Sequence, residues 1–173
     1  MRIAIAADHA GFPLKELVRA HVATLGHEVQ DLGAYDTTPS DYPDFAEKVG
    51  RALMKGEADR GILICGSGVG VCIAANKMPG VRAGMCHDTY SAHQGVEHDQ
   101  MNVIVLGARI IAEALAFECV DSYLRANFIG NEERFVRRLN KVFAIEKEFM
   151  PNAAGTVFAD VVKSDSPAQE SKG

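Results

Sequence analysis

The stretch Gly61-Ile62-Leu63-Ile64-Cys65-Gly66-Ser67-Gly68-Val69-Gly70 decides the fold. Residues 61–64 form a short apolar run without polar alternation, as a strand reads when both faces of a parallel sheet are covered. A glycine loop follows, and it leads into a helical stretch over residues 71–77. Working outward, residues 3–6, 28–31, 82–86 and 102–106 read as further strands. Between them lie amphipathic stretches. Leu14, Leu17, Val18, Val22 and Leu25 recur at helical spacing, with Pro13 near the first helical position. Tyr42, Phe45, Ala46, Val49 and Leu53 form a second stripe, with Gly56 as its stop. Helices are also expected over residues 89–97, 111–126 and 131–149. This alternation predicts an α/β fold: a Rossmann-like three-layer α/β/α sandwich on a mainly parallel five-stranded sheet. Strand order does not follow from the pattern.

The 173 residues suffice for one domain over 1–150 and a tail over 151–173. In the tail, Val157, Phe158, Val161 and Val162 could dock on the body, and the polar residues 163–173 read as disordered. The net charge of −5 argues against nucleic acid or an anionic membrane as partner, so a bound anion needs a local cluster. No apolar run is long enough to span a membrane, and a cytoplasmic protein is expected. Cys65, Cys72, Cys86 and Cys119 have no zinc-type spacing, which predicts free thiols and no metal. Cys72, Cys86 and Cys119 read as core filler.

In an open α/β sheet, ligands bind beyond the carboxyl ends of the strands. Those positions hold Asp8, His9 and Gly11, then Cys65 with its loop, then His87 and Asp88, then Gly107 and Arg109. Gly66, Gly68 and Gly70 let backbone N–H groups face an anion. The loop lacks the Gly-Lys-Ser/Thr of a Walker motif, and strand one lacks the dinucleotide glycines. Cys65 beside those amides is expected to have a lowered pKa, although a small residue packed under a turn fits the residues equally well. Asp8 could also merely cap the following helix, the lesser of its two readings. His98 could serve only the helix dipole. Arg134 and Arg138 share a helix face that suits a phosphate, yet with Glu132 and Glu133 adjacent, an ordinary solvated face is the better reading on spacing alone. His21, His27, His87 and His93 have no assignable role.

Five separated motifs, in order, resemble type B ribose-5-phosphate isomerases. They are residues 3–12 (IAIAADHAGF), Asp41-Tyr42-Pro43, residues 65–70, Ala74-Ala75-Asn76-Lys77, and Asn102-Val103 through Gly107-Ala108-Arg109. The family also includes isomerases of allose and galactose 6-phosphates. The resemblance implies an aldose–ketose isomerase without metal or cofactor, a homodimer or tetramer with sites at the subunit interface. By position, it makes Cys65 the base working through a cis-enediolate, with Ser67 and the loop amides stabilising it and Asp8 shuttling protons at the sugar oxygens. His98 matches the ring-opening residue and Tyr42 the residue beside the sugar. His9, Arg109, Arg134 and Arg138 match the phosphate grip, the last two reaching into the neighbouring subunit.

Ser67 stands where many members have threonine, and Asp99-Gln100 stands where they usually have asparagine and then aspartate. An amide can donate to an enediolate oxygen and an ionised carboxylate cannot, so the sugar preference is the open question. The rivals are an isomerase of another phosphorylated aldose and a non-catalytic nucleotide-binding module. A receiver domain would need an aspartate where Cys65 stands.

Overall fold

The computed structural model describes residues 1–150, so the expectations for the tail lie outside the described residues. The elements are β1 (Arg2–Ala7), α1 (Phe12–Thr24), β2 (Glu28–Asp31), α2 (Tyr42–Met54), β3 (Arg60–Cys65), α3 (Val69–Ala75), β4 (Ala83–Met85), α4 (Thr89–Asp99), β5 (Val103–Gly107), α5 (Glu113–Arg125) and α6 (Glu133–Phe149). The sheet is parallel throughout, in the order β2-β1-β3-β5-β4. The central strands β1, β3 and β5 are buried on both faces, which is why their sequences run apolar without alternation.

Two clusters fill the spaces between layers. Ile3, Ile5, Val18, Val22, Ile62, Ile104 and Tyr123 pack on one face, and Ala4, Phe45, Val49, Leu53, Leu63, Val71 and Val105 on the other. Each fully buried aliphatic side chain contributes about 2 kcal/mol of hydrophobic stabilisation.

The predicted elements are all present, with three corrections. In α1, Leu17 and Leu25 are exposed while Lys15 is completely buried. Its ammonium donates to both Asp31 carboxylate oxygens at 2.7 Å and pairs with Glu16 at 2.9 Å. A lysine so partnered takes the place that the stripe assigned to leucine. α3 begins at Val69 and ends at Ala75, two residues ahead of expectation at each end. β4 has three residues instead of five. Just outside it, Asn76 pairs with the backbone of one edge residue: its carboxamide oxygen accepts from Ala83 N–H and its nitrogen donates to Ala83 O, both at 2.9 Å.

Candidate functional site

Three central strands end at one rim. Cys65 is the last residue of β3, Asp8 directly follows β1, and Gly107 ends β5. The Cys65 thiol donates to Asp8 Oδ2 at 2.9 Å, and both residues are buried. The other Asp8 oxygen, Oδ1, accepts Gly11 N–H at 2.9 Å. The turn-forming role and the chemical role are therefore divided between the two oxygens of one carboxylate.

The thiol does not have the lowered pKa that its position suggested. Burial pushes it up, and the hydrogen bond to Asp8 and that residue's negative charge push it further. The amides of Gly66 and Gly68 act in the opposite direction but are outweighed. α3 has only seven residues, so its dipole adds little. The resting proton therefore sits on sulfur, with a carboxylate in place to take it.

The glycine loop lies over this pair. Gly68 has φ +84°, a left-handed conformation that a side chain would strain. A Cβ at Gly70 would fall 2.8 Å from the Tyr42 ring, so the Tyr42 side chain closes directly on the loop. Ser67 is exposed, and its hydroxyl accepts from Val69 N–H at 3.3 Å. Arg109 N–H donates to Gly66 O at 2.9 Å, and Ala108 N–H to Cys65 O at 2.8 Å. The Arg109 guanidinium thereby sits beside Gly66, near enough that a Cβ there would meet it at 3.5 Å.

His9 is tied to Ser40, whose hydroxyl accepts from His9 N–H at 3.1 Å. Ser40 N–H in turn reaches His9 Nδ1 at 3.1 Å. Asp8, His9, Tyr42, Cys65, Gly66, Ser67, Gly68, Gly70 and Arg109 are thus brought together at one rim.

The remaining residues are not. α4 starts beside the rim and runs back along the sheet, so His98 and Asp99 lie at the amino end of the strands, where Arg82 Nε donates to Gln100 O. Here the His98 ring stacks on Phe135 at 3.9 Å, and the Arg134 guanidinium lies 4.5 Å from the same Phe135 ring on its way to solvent. Arg134 approaches Glu132 at 3.6 Å, Arg137 pairs with Glu133 at 3.1 Å, and Arg138 is exposed. The solvated-face reading of this helix describes the single chain correctly.

A groove of about 520 Å³ runs along β4, lined in part by Val81, Ala83, Met101, Val142, Ile145 and Asp99. It does not include Cys65. Among the described residues, no group of three or more His, Cys, Asp or Glu side chains could hold a metal. No described helix is long and apolar enough to cross a membrane. Sequence reasoning misses Ser40 and assigns no role to His87, although both lie at the rim. Only His87's place directly after a strand hinted at a role.

A thiol hydrogen-bonded to a carboxylate under a cradle of amides, at the strand ends of a doubly wound sheet, defines an α/β enzyme equipped for proton transfer. The chain belongs to the ribose/galactose isomerase family, whose pattern spans residues 3–142. It is 42% identical over 146 residues to ribose-5-phosphate isomerase B of Escherichia coli K12, covering 84% of this chain and 97% of that protein. It is 43% identical over 132 residues to D-erythrulose-4-phosphate isomerase of Pectobacterium atrosepticum, covering 75% and 86%. Among solved structures, ribose-5-phosphate isomerase B of Clostridium thermocellum superposes with a TM-score of 0.83 at 42% identity, over 86% of this chain and 99% of that one.

Proposed function

We propose that this chain interconverts ribose 5-phosphate and ribulose 5-phosphate through a cis-enediolate. The observation that carries the reading is the buried hydrogen bond from the Cys65 thiol to Asp8 at the mouth of the glycine loop. Passing the thiol proton to Asp8 frees a thiolate, which takes the C2 proton of the aldose and returns it to C1. Charge then develops on the sugar oxygens, where the Ser67 hydroxyl and the amides of residues 66–70 can donate. Asp8 returns a proton as the O1 and O2 oxygens exchange theirs. Tyr42 lies beside the sugar, and His9 and Arg109 hold the phosphate, fixing the reacting carbons from a distance.

His98, Asp99, Arg134 and Arg138 enter from a second copy of the chain, His98 assisting ring opening and the arginines completing the phosphate grip. Two features support a homodimer or tetramer built this way. These residues lie at the far end of the chain's own sheet, and large apolar side chains stand exposed on α3 (Val69, Ile73) and α6 (Val142, Ile145, Phe149). The reaction uses no cofactor, and a cytoplasmic enzyme of pentose phosphate metabolism fits this chemistry.

The test is turnover of ribose 5-phosphate by the full chain and by Cys65→Ala, with a chelator present. Activity that drops about 1,000-fold in the variant supports the reading. Undiminished activity moves the base elsewhere. A second reading keeps the chemistry and shortens or lengthens the sugar. It is favoured by Asp99, where the family usually has asparagine, and by the similarity to a tetrose phosphate isomerase. A panel of tetrose, pentose and hexose phosphates separates the two.

A further inference from the structure

We infer that His87 is a positioning residue for the Cys65 rim; the inference rests on the isomerase reading above. β4 stops at Met85, whose register partner on β5 is Val105. β5 runs on for two more residues, to Gly107. Beyond the bond from Cys86 N–H to Val105 O, no strand remains on this flank to receive the next β5 amide. Gly107 is buried, so its N–H would be left without a partner. The His87 imidazole takes it: Gly107 N–H donates to His87 Nε2 at 2.9 Å. Only an Nε2 that carries no hydrogen can accept, so this bond requires the tautomer with its hydrogen on Nδ1.

Gly107 is the floor of the site. A Cβ there would fall 2.6 Å from the Ser67 carbonyl oxygen, so the loop rests directly on this backbone. The next two residues bond to Cys65 O and Gly66 O and carry Arg109. A shift at Gly107 therefore moves the base, the loop and the phosphate-facing arginine together. His87 acts through Gly107, by completing a ladder that the short edge strand leaves open.

The test compares His87→Leu with His87→Gln, whose carbonyl oxygen can reach where Nε2 stood. Steady-state kinetics on ribose 5-phosphate are read alongside amide exchange at Gly107. In His87→Leu the Gly107 amide loses protection and kcat falls about tenfold, while KM changes far less. In His87→Gln both recover. A His87→Leu variant with wild-type kcat, or one whose Gly107 amide stays protected, overturns the inference. If His87→Leu does not fold, His87→Gln decides: near-wild-type kcat with a protected amide supports the role, and a lost kcat despite a protected amide refutes it. If the wild type itself fails to turn over the sugar, the isomerase reading has failed, and the exchange data alone judge the His87–Gly107 bond.

Discussion

The two ends of the sheet are built differently. At the carboxyl end, Asp8, Cys65 and the glycine loop are extensions of three adjacent central strands, and their polar atoms are bonded within the chain. At the amino end, His98, Asp99, Arg134 and Arg138 lie on two helices; His98 is half-buried against Phe135 and Gln94, and the other three are exposed. The strands between them span about 20 Å, and no side chain reaches across that distance. On the proposed reading, one end carries the proton-transfer pair with Arg109 as its cation, and the other presents His98 and two further arginines. Each is then half of a site, and the exposure of the second half is what lets it serve another copy.

The sharpest way to break this comparison is to mix two defective proteins. Cys65→Ala and Arg138→Ala should each be nearly inactive alone. After subunit exchange, half of the dimers are mixed, and each of those has one intact site of two, so about a quarter of wild-type turnover should return. No recovery would mean that both halves serve the same copy. Next in size is the effect of Asp8→Asn. Removing the negative charge lowers the Cys65 pKa towards its ordinary value, and alkylation of Cys65 by iodoacetamide at pH 8, followed by peptide mass mapping, should quicken about tenfold. Unchanged reactivity would assign the whole shift to burial.

Alkaline pH probes the buried side of the contrast. Burial raises Cys65, pushes Cys86 up to about 12 and Cys119 to about 11. A fold that binds these protons more tightly than the unfolded chain has their full stabilisation below the ordinary thiol pKa. It loses that stabilisation as pH rises through 9 towards those values. The melting temperature should fall by about 4 °C between pH 7.5 and 10, and a flat profile would contradict the burial assigned to these thiols. The smallest effect is expected at the exposed end. Asp99→Asn should raise kcat/KM for ribose 5-phosphate about threefold with no change in melting temperature. A loss instead would make the carboxylate a working part of this enzyme's sugar preference.

Much of this was legible in the chain. Apolar runs without alternation announced buried parallel strands, and the glycine loop after β3 announced where chemistry sits. Lateral strand order was not legible, because a run of Ile and Val does not record its neighbours. Lys15 broke the helix stripe because its partner, Asp31, lies on another element. The acidity of Cys65 was misjudged for a similar reason: the nearby amides are visible in sequence, whereas burial and a carboxylate 57 positions away are not. For His87 the sequence offers only its place after a strand, since its bond to Gly107 arises where two strands of unequal length end side by side.

The Asn76 carboxamide also limits how these molecules can be joined. By occupying both backbone hydrogen-bonding groups of Ala83, it behaves like a single rung of a strand that goes no further. A second strand therefore cannot pair with Ala83 while Asn76 holds it, which blunts this short edge. On the proposed reading, copies of the chain would meet there through the shapes and charges of side chains, an association that can come apart without unpicking a sheet.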